Sequence, residues 1–207
     1  MLTQLEEIHV KNVYEEIANH FDNTRVYTWN WITDFVTSLP KISNICDVGC
    51  GNGRNMVFED YNFIGVDNCR AFLEICKSKN LEVIESNITK LPFKNGQFDA
   101  VICIAAFHHL YTNTAKIECL LEIKRIIKNN GKILLSVWSK TQPEKTRRTF
   151  INHGHNFVKW NKFGKEYERY YYIFQDREIK SLFRQAGLII INCKHDCGNE
   201  IYTLTKL

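Results

Sequence analysis

Short runs of apolar residues, broken by turn residues, set the rhythm of the chain. Residues 44–48, 62–67, 81–85, 98–104 and 131–138 read as β-strands whose apolar positions are consecutive rather than alternate, the mark of strands buried on both faces. Between them, helical spacing predicts segments over 52–59, 70–79 and 113–128, the last capped by Asn129-Asn130-Gly131. Strand and helix in alternation make βαβ units, and these build a parallel sheet between helical layers, the doubly wound α/β arrangement.

The two ends depart from this rhythm. Val10, Val13, Tyr14, Ile17, Ala18 and Phe21 recur at helical spacing, and Asp22-Asn23-Thr24 breaks the pattern. A second helix is expected to open over 25–31, to bury Ile32, Phe35, Val36 and Leu39, and to stop at Pro40. No strand precedes these helices, so residues 1–40 read as a cover over a core that comes later in the chain. Over 139–175, basic residues that include Lys140, Arg147, Arg148, Lys159, Lys165 and Arg169 outnumber Glu144, Glu166 and Glu168, with Phe150, Trp160, Phe163 and Tyr167 interleaved. A helix from Asp176 as N-cap to Ala186, with Gly187 as its C′ glycine, is followed by strands at 188–193 and 201–207 around a hairpin loop at 194–199. A parallel sheet closing in an antiparallel hairpin, without repeats or linkers, predicts one domain over 1–207.

Candidate chemistry begins where the first strand ends, at Asp47-Val48-Gly49-Cys50-Gly51-Asn52-Gly53. Glycines at alternate positions admit backbone conformations closed to other residues and let a ligand approach the main chain. Asp67 ends the next strand and is placed to accept hydrogen bonds from ribose hydroxyls. The spacing is Gly-x-Gly-x-Gly rather than the Gly-x-Gly-x-x-Gly of dinucleotide sites, which points to a nucleoside.

Composition narrows the picture modestly. The chain has 207 residues, 44% hydrophobic and 24% charged, with a formal charge of +4. That charge is compatible with a nucleic-acid partner without requiring one. Eight cysteines lack paired zinc spacing and no signal-peptide pattern opens the chain, which is the usage of reduced thiols in a cytoplasmic protein or one with a nuclear pool. Cys193, His195 and Cys197 are close together, yet no further pair completes four ligands, so no metal site is expected. No apolar stretch reaches the roughly 20 residues of a membrane span.

As a set, Asp47 to Gly53, Asp67, Leu91-Pro92-Phe93 before Phe98-Asp99-Ala100-Val101, and His108-His109-Leu110 resemble class I S-adenosylmethionine-dependent methyltransferases. The resemblance implies a Rossmann-like sheet of seven strands with the last one antiparallel. It also implies S-adenosyl-L-methionine as cofactor, bound by Asp47, Gly49, Cys50, Gly51, Gly53, Asp67, Asn68, Asn87, Ile88 and Ile104. The flanks carry a narrower likeness. Val13 to Phe21, Thr24-Arg25 with Trp29, Phe157 to Trp160 and Arg169 to Phe174 resemble the eukaryotic tRNA wobble-uridine methyltransferases, which esterify 5-carboxymethyluridine at position 34 of the anticodon. That likeness implies the tRNA anticodon arm as substrate and a heterodimer with a small zinc-binding activator protein at the sheet edge. Three positions depart from the pattern: Asn30 stands where Pro is common, Tyr172 where the family has His, and Asn87 where an acidic residue follows the third strand.

The resemblance implies substrate contacts for Arg25, Trp29, Arg169 and Tyr170, and places His108 and His109 beside the reactive methyl. A guanidinium grips a carboxylate with two hydrogen bonds, and an indole stacks on a base. A carboxylate is already ionised at neutral pH, so the histidines are expected to position rather than to accept a proton. Two other readings stay open: a small-molecule methyltransferase with the same core, and a non-catalytic regulatory subunit. Cys103 lacks the context of a pyrimidine C5 methyltransferase nucleophile. Ala105-Ala106-Phe107-His108 stands where exocyclic-amine methyltransferases carry an Asn/Asp-Pro-Pro-Tyr signature.

Overall fold

The computed structural model describes residues 2–146, 150, 152–162 and 164–207; Arg147, Arg148 and Phe163 of the basic and aromatic stretch lie outside the described residues. Among the described residues the helices are α1 (Gln4–Glu6), α2 (Asn12–Thr24), α3 (Asn30–Thr37), α4 (Arg70–Ser78), α5 (Asn113–Ile126) and α6 (Asp176–Gln185). A π-helical turn, Glu7–Lys11, joins α1 to α2 without a break. The strands are β1 (Asn44–Val48), β2 (Asn62–Asp67), β3 (Val83–Glu85), β4 (Phe98–Ile104), β5 (Ile127–Trp138), β6 (Gly154–Lys162), β7 (Lys165–Ile173), β8 (Leu188–Asp196) and β9 (Asn199–Lys206).

Seven strands form one sheet in the order β3-β2-β1-β4-β5-β9-β8. The first five are mutually parallel, and β9 runs antiparallel to both β5 and β8. Alternate residues of a strand face opposite sides, which splits the core in two. Cys46, Val101, Cys103, Ile133 and Leu135 pack with Leu120 and Ile123 of α5 and with Ile179 and Phe183 of α6. Ile45, Ala100, Ile102 and Leu134 face the other way, against Ile32, Phe35 and Val36 of α3.

Several sequence expectations change at this level. No helix forms over 52–59: the segment is a series of turns. Gly49, Gly51 and Gly53 hold φ of 78°, 53° and 73°, so right-handed helical backbone is interrupted as far as residue 53. Residues 25–29 are not helical either, and α3 starts at Asn30 with Trp29 as N-cap. Tertiary contacts decide this, because the Trp29 ring is stacked on Trp31. Asn129-Asn130-Gly131 does not cap α5; β5 begins at Ile127 and absorbs it, with a register shift between Phe98 and Ala100 of β4. The N-cap of α6 is Gln175, whose capping box uses Glu178, rather than Asp176. The last hairpin turns on Cys197 and Gly198 alone, at φ of 48° and 77°, the signs a tight two-residue connection requires.

The stretch 139–175 contains a β-hairpin, β6–β7, a separate two-stranded sheet paired from Gly154↔Ile173 to Lys162↔Lys165. It leans on the N-terminal helices. The Trp160 indole donates to His20 Nδ1 at 3.1 Å, His9 Nδ1 lies 3.3 Å from the Glu168 carbonyl, and the Tyr167 hydroxyl reaches Glu16. Hairpin and helices together raise a wall beyond the carboxyl ends of the parallel strands, where doubly wound sheets bind ligands.

The last glycine of the loop tests this packing directly. A Cβ at Gly53 would stand 2.4 Å from Leu81 Cδ1 and 3.0 Å from Cys76 Sγ, at positive φ. Gly53→Ala is expected to lower unfolding free energy by about 1–3 kcal/mol through strain and overpacking, read as a fall in thermal midpoint. An unchanged midpoint would mean that the loop relaxes freely.

Candidate active site

β1 buries Asp47 behind the glycine loop, whose Gly49, Cys50 and Gly51 line a cavity at the carboxyl end of the sheet. The carboxyl is fully buried, and neither oxygen has a hydrogen-bond partner among the described residues. Burial, with the charge of Asp67 second, pushes its pKa up to about 7; the Arg54 charge and a loose approach of the Asn55 side chain pull the other way. Above it the glycine loop turns, with Gly49 N and Cys50 N donating to the Val66 carbonyl and Gly51 N donating to Asp67 Oδ2 at 2.9 Å. Asp67 Oδ1 also accepts from Cys69 N at 2.9 Å. Burial raises the Asp67 carboxyl, and those backbone N–H groups hold the rise in check.

The cavity is lined by Gly49, Cys50, Gly51, Asp67, Asn68, Asn87, Ile88, Ile104 and His109 from the expected set. Asp47 and Gly53 do not line it: Asp47 is fully buried behind the loop, and Gly53 packs against Leu81 and Cys76. Asn87 contributes less than its position suggests. Its oxygen is taken by the backbone N–H and hydroxyl of Thr89, at 3.0 and 3.1 Å, which leaves its NH2 group for a ligand.

The two histidines separate. His108 is fully buried, accepts from Trp138 N at 2.9 Å and does not line the cavity. His109 lines it, and its tautomer follows from its partners. Nδ1 lies 2.7 Å from the Tyr170 carbonyl, which can only accept, so Nδ1 carries the proton. Nε2 then accepts from the Tyr14 hydroxyl at 3.1 Å. Burial, with the nearby Arg169 charge adding, depresses His109 to about 3. The ring is neutral and its one basic nitrogen is occupied, so it positions rather than removes protons. Tyr170 acts through its carbonyl alone; its hydroxyl points to His155 Nδ1, 2.9 Å away.

Arg25 and Arg169 meet in a groove beside the cavity. Their guanidiniums lie 5.6 and 4.5 Å from the Trp160 ring centre, Arg25 also sits 5.7 Å over Phe21, and Phe21 lines the cavity. Arg169 is 3% exposed, and its Nε has no hydrogen-bond partner among the described residues. Within the same set neither arginine has an ion pair. Burial, then the charge of Arg169, lowers the pKa of Arg25. Trp29 does not line this groove: it stacks on Trp31 at 5.4 Å and carries the Arg54 guanidinium 4.2 Å above its ring.

Sequence reasoning misses Tyr14 and Arg54, both on the cavity wall. Tyr14 reads in the sequence as one more apolar position of a helix. Arg54 follows directly on the glycine loop, and that adjacency is the signal that could have found it.

A seven-stranded sheet ending antiparallel, with a glycine loop over a buried acid at its carboxyl edge, defines the class of S-adenosylmethionine-dependent methyltransferases. The family model for "Methyltransferase domain" matches residues 46–135. Within the class, the chain belongs to the tRNA (carboxymethyluridine(34)-5-O)-methyltransferase family. It is 30% identical to the protein of that name from Schizosaccharomyces pombe, over 96% of this chain and 96% of that one. It is 31% identical to the one from Xenopus tropicalis, over 98% of this chain and 41% of that protein; the chain thus spans well under half of that relative's length. Among solved structures, a Haloferax volcanii methyltransferase in complex with the Trm112 methyltransferase activator superposes with a TM-score of 0.68 at 15% identity, covering 95% of this chain and 96% of that one.

S-adenosyl-L-methionine is the cofactor of the class, and the cavity fits it. Asp47 offers a buried carboxyl without a hydrogen-bond partner among the described residues, whose ionised form a cationic group would stabilise. At Gly51 an added Cβ would have Phe72 at 4.0 Å as its nearest neighbour and would otherwise stand in open space, so the missing side chain leaves room for a ligand against the main chain. Among the described residues no group of side chains could hold a metal ion, and no helix is long and apolar enough to cross a membrane.

Because ionised Asp47 is favoured by an ammonium ligand and its carboxyl titrates at about 7, S-adenosylhomocysteine should bind about tenfold more tightly at pH 8 than at pH 6. Calorimetry across that range checks this, and Asp47→Asn is expected to flatten the profile. A flat profile in the unaltered protein would show Asp47 uncoupled from the ligand.

Proposed function

We propose that the chain esterifies the carboxymethyl group of 5-carboxymethyluridine at the tRNA wobble position, using S-adenosylmethionine. One observation carries the reading: Arg25 and Arg169, two guanidiniums without an acidic partner among the described residues, flank Trp160 at the rim of the cavity. Bringing like charges together out of water is unfavourable, and an anion between them relieves it. A carboxylate accepts two parallel hydrogen bonds from a planar guanidinium, and the Trp160 face suits a base.

When bound, the cofactor supplies a sulfonium methyl group to the substrate oxygen. The protein's own work is alignment and charge. No base is needed, since the carboxylate is ionised, and neutral His109 agrees with that. Tyr14 donates its only proton to His109, so its oxygen is left to accept from the Tyr171 hydroxyl at 3.2 Å, and it also faces the Arg169 guanidinium. One hydroxyl on the cavity wall therefore ties the groove to the site of transfer. Alignment of this kind supplies about 7–11 kcal/mol in the most favourable cases.

The anticodon arm as partner is supported by the basic hairpin residues Lys159 and Lys165, the family's substrate and the groove's aromatic floor. A small zinc-binding activator is supported by the Haloferax volcanii complex and by β3, which stands at an edge of the sheet. Substrate and cofactor together suit the cytoplasm or nucleus.

The experiment is mass spectrometry of nucleosides from tRNA incubated with the protein, labelled cofactor and activator. Label in the methyl ester of 5-carboxymethyluridine is expected, and Arg169→Met should cut kcat/KM by about 100-fold, the scale of a lost charge-assisted contact. Label only in another nucleoside, or turnover of a small carboxylic acid without RNA, would overturn the reading.

A further inference from the structure

A third guanidinium, Arg54, is near enough to Arg25 to feel its charge but does not line the groove. It lines the cavity beside Asn52 and Asn55, on the loop that begins over Asp47. It is half-buried, and among the described residues it makes neither a side-chain hydrogen bond nor an ion pair. Burial, then the charge of Arg25, lowers its pKa to about 10; Asp47 and Tyr14 pull the other way. Its direction is fixed from two sides. The Thr28 hydroxyl donates to the Arg54 carbonyl at 2.6 Å, and the Trp29 ring lies 4.2 Å beneath the guanidinium. Trp29 in turn is stacked on Trp31, whose ring is 3% exposed in the core under α3.

The end of β1 and the loop that follows it thus hold two groups of opposite sign, each unpartnered among the described residues: the buried carboxylate of Asp47, behind the cavity wall, and the guanidinium of Arg54, on that wall. An α-amino acid end, with an ammonium and a carboxylate on one carbon, carries the complementary pair. We propose that Arg54 is the residue that binds the α-carboxylate of the cofactor's amino-acid end, and that Trp29 is its positioning residue, holding the guanidinium by a cation–π contact. This rests on the cofactor assignment and not on the identity of the nucleoside methylated. The three arginines then divide between two ligands, with Arg54 serving the cofactor and Arg25 and Arg169 the substrate. Trp29 also gains a role other than stacking on a base.

Calorimetry with two ligands tests it, without RNA or turnover: S-adenosylhomocysteine, and its decarboxylated analogue, which keeps the ammonium and lacks only the carboxylate. Arg54→Gln is expected to weaken S-adenosylhomocysteine about 10- to 100-fold, the scale of one charge-assisted contact, and to leave the analogue within about twofold. Trp29→Ala should show the same selectivity at smaller size, and Trp29→Phe should restore most of the affinity. Should Arg54→Gln fail to fold, Trp29→Ala and Arg54→Lys carry the comparison. Equal loss for both ligands would reduce Arg54 to a support of the loop and overturn the proposal, as would no loss for either. Methyl transfer to tRNA is scored separately, so the proposed substrate can fail while this assignment stands.

Discussion

The site depends on a knot of side chains between the end of α2, the glycine loop and the end of α4. Asp22 Oδ1 accepts from Asn52 Nδ2 at 2.7 Å and from Lys79 Nζ at 2.6 Å. Asn52 also donates to the Arg25 carbonyl, and Lys79 to the Asn52 carbonyl. A loop in the left-handed region lacks the internal ladder that would stiffen a helix, so it must be held from outside. The knot does this and at the same time sets the backbone of Arg25. A surface ion pair of this kind contributes little by itself; its weight here comes from the three backbone segments that meet on it.

The charges around the cavity break the usual rule that buried ionic groups are paired. Among the described residues, Asp47 accepts no hydrogen bond and Arg169 has an unpartnered Nε, while burial, and then another arginine's charge, lowers the pKa of both Arg25 and Arg54. Natural sequences violate local consistency mainly at sites of function. The hydrophobic faces of the sheet make no such exception, and they carry the stability that lets the cavity stay unfavourable when empty.

Much of this is legible in the sequence. The strands β1, β2 and β4 announce themselves as apolar runs bounded by turns, and the loop by its glycines and Asp67. What is not legible is tertiary. The segment after Gly53 carries residues acceptable in a helix, yet it folds as a series of turns behind a glycine held at positive φ. The β6–β7 hairpin is hidden because Lys165 to Ile173 mixes charged and aromatic residues on both faces. Trp29 reads equally well as a stacking platform and as a prop. Its partner, Arg54, lies far along the chain, and no local pattern joins the two.

That the wall of the site comes from α2 has a consequence for biogenesis. During synthesis α2 emerges before α4 and β7, on which it packs, so the face carrying Val13, Ile17 and Ala18 must wait for the rest of the chain. Transiently bare apolar surface of this kind is aggregation-prone, so the first helix wall of the ligand site to be made can close only after α4 and β7 have been delivered.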